Sequence, residues 1–251
     1  MEESNLRDQI VECCRRMHAR GLTSGGEGNV SVRLGSGRFL VTPSGVNKGF
    51  IAPADLVVAD SEGRPVRTAG LGPSSEFKVH LAAYRARPDC DAVVHAHPPT
   101  AVALTLAGVS LAQCLMPESV VALGEIPTAP YATPSTQAVA DGVEGLLAGH
   151  CAVMLERHGS LTIGRDVFEA YDRLESLEHA ARITWMARLA GPVKPLPADE
   201  VGRLRAMAAE MGLRRGPCVA CGTCRAPGEA YPSCQDDALI AEVISRVMGQ
   251  L

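Results

Sequence analysis

Aromatic side chains are scarce: Phe, Tyr and Trp together make up 4% of the 251 residues. Lysine is rarer still, with only Lys48, Lys78 and Lys194. Nor is there an excess of positive charge, since 24 Lys and Arg face 28 Asp and Glu for a net charge of -4. A chain built to neutralise a nucleic-acid backbone is thereby disfavoured, while a local pocket for an anionic metabolite stays open. Long apolar runs are missing too. The uncharged stretch from Pro98 to Pro117 is broken by Pro99, Thr100, Gly108, Ser110 and Gln113, whereas a membrane span needs about 20 mainly apolar residues. A buried helix followed by a strand is expected there, and no membrane partner. The acidic opening Met1-Glu2-Glu3-Ser4 lacks the apolar core of a secretory signal. Cys13, Cys14, Cys90, Cys114 and Cys151 fall in apolar or helical surroundings, as buried free thiols of a cytoplasmic protein do.

What the chain does have is 46% hydrophobic residues, 25 Gly and 17 Pro. That composition supports a sizeable core built from many short elements joined by tight turns. Ile10, Val11, Cys14 and Met17 share one face of a helix over Leu6 to Arg20. A glycine-rich loop follows, then a hairpin of Val30–Arg33 and Arg38–Thr42, and a short strand Leu56–Ala59. Ser74 or Ser75 can cap a helix running to about Arg87. Asp91–His97 reads as a strand, Thr100–Leu106 as a small helix and Ile126–Tyr131 as an extended segment. Ser135–Leu147 is helical, Cys151–Glu156 and Leu161–Ile163 are strands, and Phe168–Leu189 is a long helix. Pro192, Pro195 and Pro197 mark a linker. Interleaved strands and helices with early hairpins imply a mixed α/β domain over residues 1–192. A helical appendage over 193–251 follows, with helices at Glu200–Met211 and Asp236–Val247 around a patch of four cysteines.

His95 and His97 stand two apart on a strand, so both imidazoles leave the same face, at its end beside a Pro-Pro turn. His158 follows another apolar strand and precedes Gly159. Three imidazoles, or two with a carboxylate, are a common ligand set for zinc with one position left open. Glu76 sits near a helix start, where a carboxylate also favours the helix dipole. His80, amid Phe77, Leu81 and Tyr84, reads as a core residue rather than a rival ligand. Gly28-Asn29, Ser44-Gly45 and Ser74-Ser75 each offer amides or hydroxyls that could hold a phosphate, though each is an ordinary turn sequence taken alone.

Taken in order, Gly28-Asn29-Val30-Ser31, Thr42-Pro43-Ser44-Gly45, Ser74-Ser75-Glu76, His95-Ala96-His97, Pro130-Tyr131 and His158-Gly159 resemble the class II aldolase/adducin family, and most closely its fuculose-phosphate aldolases, over roughly Ile10 to Leu189. The resemblance implies a three-layer α/β/α fold with a largely antiparallel central sheet, assembled as a homotetramer with sites between subunits. It implies one zinc ion per subunit at Glu76, His95, His97 and His158. It also implies a phosphate cradle from Gly28, Asn29, Ser44, Gly45, Ser74 and Ser75. The expected reaction is reversible cleavage of a ketose 1-phosphate to dihydroxyacetone phosphate and an aldehyde. A Lewis-acid metal stabilises the enediolate left by the broken carbon–carbon bond, with Glu76 as acid/base on its carbon. No lysine lies in an apolar strand, which disfavours a lysine imine.

The chain also departs from the pattern. The aldolases carry a tyrosine where this sequence reads Leu115-Met116-Pro117-Glu118, so Glu118 either replaces its proton role or is a turn residue. The His-Ala-Asp stretch of the family's epimerases is missing. A methylthioribulose-phosphate dehydratase and a sugar-acid phosphate decarboxylase are the enzymatic rivals, and an adducin-like scaffold is the non-enzymatic one. Beyond the resemblance, Cys218, Cys221, Cys224 and Cys234 have spacing suited to a second zinc or an iron–sulfur cluster, with disulfides or free thiols as the alternative. Tyr231 is expected to reach a neighbouring subunit's site, as a C-terminal tyrosine does in the aldolases.

Overall fold

The computed structural model describes residues 2–213. Eight strands form one sheet: β1 (Asn29–Gly35), β2 (Arg38–Val41), β3 (Val57–Asp60), β4 (Pro65–Arg67), β5 (Ala92–Ala96), β6 (Thr128–Ala129), β7 (Ala152–Leu155) and β8 (Gly159–Gly164). Their spatial order is β4-β3-β2-β1-β5-β8-β7-β6. All neighbours are antiparallel except β6 and β7, which are parallel. The helices are α1 (Glu3–Ala19), α2 (Phe77–Ala86), α3 (Pro99–Leu106), α4 (Pro117–Ala122), α5 (Gln137–Leu147), α6 (Val167–Ala190) and α7 (Ala198–Glu210).

Alternation along the strands divides the core into two layers. On one face, Val93, Val41, Leu161 and Ile163 pack with Phe77, Leu81 and Tyr84 of α2 and Val139 and Val143 of α5. On the other, Ala92, Val94, Val30 and Leu40 pack with Ile10, Cys14 and Met17 of α1 and Tyr171 and Leu174 of α6. A third cluster joins α3 and α6 through Leu104, Met154 and Leu177. The expected three-layer α/β/α fold with a mainly antiparallel sheet is what forms. Cys13, Cys14, Cys90, Cys114 and Cys151 are all buried and free. No helix among the described residues is long and apolar enough to cross a membrane.

Three local expectations fail. No strand follows α3. Gly108, at φ 72°, turns the chain there. Val109, Leu111, Ala112 and Cys114 then bury their side chains without joining a ladder. Helix α2 begins at Phe77, after the two serines rather than on them. The Ser74 amide is held by the Thr42 carbonyl, so Ser74-Ser75-Glu76 forms a turn tied to the end of β2, with Glu76 at the N-cap position making no cap hydrogen bond. The segment expected as Asp91–His97 stops as a strand at Ala96, where the His97 amide leaves the sheet for the Leu22 carbonyl. Strand β4 and helix α4 had no counterpart in the sequence reading. The appendage is described as far as residue 213. Its α7 packs through Val201 on Val120 of α4 and on Cys114.

Candidate metal centre

Antiparallel pairing places the start of β1, the end of β2, the end of β5 and the start of β8 on one edge of the sheet, because Asn29 faces His95 and Ala96 faces Ser160. The segments at that edge carry the histidines, Gly28-Asn29 and Ser44-Gly45, and the Ser74-Ser75-Glu76 turn is tied to it through the Thr42 carbonyl. His95 is the penultimate residue of β5, His97 follows its end, and His158 closes the three-residue turn between β7 and β8. That turn places Arg157 at φ 60°, a conformation few residues other than glycine adopt, and anchors its amide on Thr105 Oγ1 at 3.0 Å.

The four expected ligands converge. One ligand atom from each of Glu76, His95, His97 and His158 lies within 4.8 Å of all the others. His95 Nε2 stands 3.0 Å from His97 Nε2 and 3.2 Å from Glu76 Oε2, and His158 Nε2 stands 3.2 Å from Glu76 Oε1. His95 Nδ1 is 2.9 Å from the Ser160 carbonyl, an acceptor only, so Nδ1 carries the proton. Its Nε2 then faces the cluster. Burial first, then the neighbouring His95 and His158, pull the His97 pKa to about 3, which keeps that ring neutral. Burial raises the Glu76 pKa, but His158 and His95 outweigh it and hold the carboxyl well below the usual range. Glu76 contributes anionic oxygens and His95, with its proton on Nδ1, a bare Nε2, the donor types a divalent metal takes. The donor set fits a metal.

Glycine 159 makes this closeness possible. A Cβ there would stand 2.5 Å from the Ala96 carbonyl oxygen, 2.8 Å from His97 Cδ2 and 2.9 Å from His95 Cε1. Two contacts in the centre escaped the sequence reading. Glu27 Oε2 lies 3.4 Å from His97 Nδ1, and the Ser160 carbonyl fixes His95. The only sequence signal for either was its place beside a motif already singled out. His80 is fully buried beside this centre with Nδ1 2.7 Å from Ser31 Oγ, the core role expected of it.

The three candidate phosphate segments adjoin one another. The Ser44 amide donates to the Gly72 carbonyl at 3.0 Å and the Ser74 amide to that of Thr42 at 3.1 Å. Asn29 Nδ2 donates to Glu76 Oε2 at 3.3 Å, linking the first segment to the cluster of Glu76 and the histidines. Gly28 and Asn29 are buried, whereas Ser44, Gly45 and Ser75 are open to solvent. Gly28 takes φ 70° and Gly45 φ 71°, conformations that favour glycine at these turns. Glu118 does not join the centre. It is exposed in the first turn of α4, which packs on α6 and α7. Tyr231, Cys218, Cys221, Cys224 and Cys234 lie outside the described residues.

Known proteins resemble this chain in sequence and in fold. The family model described as the Class II Aldolase and Adducin N-terminal domain matches residues 8–185. A 5-methylthioribulose-1-phosphate/5-deoxyribulose-1-phosphate aldolase of Escherichia coli O45:K1 is 36% identical over 163 residues, covering 65% of this chain and 75% of that protein. A 3-oxo-tetronate 4-phosphate decarboxylase of Escherichia coli K12 is 33% identical over 209 residues, covering 81% of this chain and 96% of that one. The solved structure of an L-fuculose 1-phosphate aldolase superposes with a TM-score of 0.76 at 29% identity, over 84% of this chain and 98% of its own. With the family model matching residues 8–185, the chain belongs to the class II aldolase/adducin family, on its metal-dependent lyase side.

Proposed function

We propose that this chain is a zinc-dependent aldolase that reversibly cleaves a ketose 1-phosphate to dihydroxyacetone phosphate and an aldehyde, as a cytoplasmic homotetramer with sites between subunits. The observation that carries the reading is the meeting of Glu76, His95, His97 and His158 beside three loops suited to a phosphate. Ligands about 2.0–2.1 Å from a tetrahedral zinc stand roughly 3.3 Å apart. Three separations in the cluster, 3.0 to 3.2 Å, are close to that, and the four ligand atoms together lie within 4.8 Å of one another. Bound there, zinc supplies Lewis acidity against the negative charge that develops on the substrate's oxygens.

The chain's own residues divide the remaining work. The cradle of Gly28, Asn29, Ser44, Gly45, Ser74 and Ser75 fixes the phosphate, and so sets which carbon–carbon bond lies next to the metal ligands. Glu76, ionised and bonded to Asn29, exchanges the proton at the carbon freed by cleavage. Asn29 Oδ1 is buried without a hydrogen-bond partner among the described residues and can accept from a substrate hydroxyl. Glu118 and Tyr231 are assigned to proton transfer at the aldehyde oxygen, each acting on an adjacent subunit's site.

A second reading, decarboxylation of a 3-oxo sugar-acid phosphate, is favoured by the 33% identical decarboxylase and by the absence of a tyrosine at Leu115–Glu118. Losing carbon dioxide in place of an aldehyde leaves the same kind of enediolate. Incubating zinc-loaded protein with ketose 1-phosphates and with a 3-oxo-tetronate 4-phosphate separates the two. Both reactions release dihydroxyacetone phosphate: an aldehyde formed with it from a ketose 1-phosphate supports the aldolase, and carbon dioxide formed with it from the 3-oxo-tetronate 4-phosphate supports the decarboxylase. Loss of water with every carbon retained refutes both and points to a dehydratase.

A further inference from the structure

Lys48 is 2% exposed, the one lysine so buried among the described residues, and the chemistry above makes no use of it. It opens a 3-10 turn, Lys48–Phe50, just after the Ser44-Gly45 loop. Its Nζ donates to two backbone carbonyls, Val46 at 2.6 Å and Gly26 at 3.0 Å. These carbonyls belong to different loops of the cradle. Gly26 leads into Gly28-Asn29, and Val46 leaves Ser44-Gly45. The loops touch at this point, since a Cβ on Gly26 would stand 3.3 Å from the Gly45 carbonyl carbon and oxygen.

In a planar trans peptide, a carbonyl turned toward Nζ sends the next N–H the opposite way. The Val46 carbonyl therefore directs the Asn47 amide away from the ammonium. That amide and those of Gly28, Gly45 and Ser75 have no hydrogen-bond partner among the described residues. The six cradle residues carry no charge, and Glu76 beside them is an anion that repels a phosphate. The nearest other lysine, Lys78, engages its Nζ with the Ser135 carbonyl at 2.7 Å. A buried ammonium is costly, and an apolar chain of the same length would fill the space without that cost. Burial lowers the Lys48 pKa, while Cys14 and Glu76 act in the opposite direction.

We infer that Lys48 is a positioning residue of the phosphate cradle. Its ammonium clamps the two loops together and sets a positive charge beneath them, so that the site prefers a phosphorylated ligand to its uncharged counterpart. The inference rests on the phosphate reading given under the proposed function.

The test is calorimetric titration of inorganic phosphate, dihydroxyacetone phosphate and dihydroxyacetone into zinc-loaded wild type, Lys48→Met and Lys48→Gln. Zinc content and thermal midpoint are recorded for each. Lys48→Met should bind inorganic phosphate and dihydroxyacetone phosphate roughly tenfold more weakly or worse, with zinc content and affinity for dihydroxyacetone retained. Lys48→Gln keeps two N–H donors without the charge and should fall between; it carries the comparison if the methionine variant does not fold. In steady state the loss should appear in KM rather than kcat. Wild-type affinity for phosphate in either folded variant overturns the inference and leaves the phosphate reading standing. Failure of wild type itself to bind inorganic phosphate overturns the phosphate reading, and the role of Lys48 with it.

Discussion

Gly159→Ala tests whether the packing of the sheet edge sets the metal site. The added methyl would lie 2.5 Å from the Ala96 carbonyl oxygen, against ordinary carbon–oxygen approaches of about 3.3 Å. Something must give by about 0.8 Å. Strand β5 cannot move easily, because β8 holds it on one side and β1 on the other. The rings of His97 and His95, met at 2.8 and 2.9 Å, must shift as well, whichever strand yields to the carbonyl contact. Gly159 does not use a left-handed φ, so the penalty is steric rather than conformational. Overpacking of this kind costs about 1–3 kcal/mol, to be read from urea unfolding in the presence of chelator. Disturbing the orientation of metal ligands lowers affinity by about 10–100-fold, to be read by zinc competition with a chromogenic chelator. Gly164→Ala is the control. Its methyl would meet the Ala170 amide nitrogen at 2.5 Å, away from the histidines, and should cost stability without changing zinc affinity. The reasoning is refuted if Gly159→Ala binds zinc as tightly as wild type, or if both variants lose zinc alike.

Three further outcomes follow from the same coordinates. Zinc at a hundredfold its dissociation constant should stabilise the wild type by about 2.7 kcal/mol, a rise in melting temperature that His95→Ala must lose if the cluster holds the ion. His80 is fully buried with its pKa pulled by burial to about 3, so the unfolded chain binds a proton that the folded chain refuses. Between about pH 6.5 and 3 stability should fall by about 1.4 kcal/mol per pH unit from this group alone, and metal-free His80→Asn should lack that slope; parallel pH profiles would contradict it. Glu178 receives the amides of Thr100 and Ala101 at 3.0 Å each, capping α3 from α6. Glu178→Ala should cost about 1 kcal/mol in urea unfolding, and an unchanged midpoint would show that the cap contributes nothing.

The central strands were legible as short apolar, β-branched runs bounded by turn residues, and His95-Ala96-His97 carried the strand period into the site. The shift of α2 was hidden for a physical reason. The Ser74 amide is bound by the distant Thr42 carbonyl while its Oγ accepts from the Glu76 amide at 3.3 Å, so the serine closes a turn just before the helix instead of capping it. Strand β4 is three exposed residues, so no hydrophobic pattern announced it. Helix α4 is only six residues long, too short to show a period. Lys48 was passed over because a lysine in a turn reads as a solvated residue. Its burial depends on carbonyls from two loops that the sequence separates by 20 positions or fewer but does not mark as neighbours.

The two halves of the site differ in how they are held, and this makes a last prediction. The three histidines, Gly28-Asn29 and Ser44-Gly45 leave one edge of four central, mutually paired strands, and the Ser74-Ser75-Glu76 turn is tied to that edge through Thr42, so the geometry of these candidates is set by the sheet. Glu118 belongs to a short helix resting on α6 and α7, and no strand fixes its position. Substitution there should act on the chemistry of the leaving half and not on the metal. Glu118→Gln keeps the shape of the side chain and removes its charge and its capacity to hand on a proton. Removing one general acid–base group costs about 10²–10⁴-fold in rate. The expected result is a fall of that order in kcat for cleavage, with zinc content and inorganic phosphate affinity as in wild type. Burial does not oppose the change, since the residue is exposed, so a folding defect is not expected to confuse the measurement. Unaltered kcat in a zinc-loaded Glu118→Gln enzyme would show that Glu118 is a turn residue only, and would leave the aldehyde oxygen to another group.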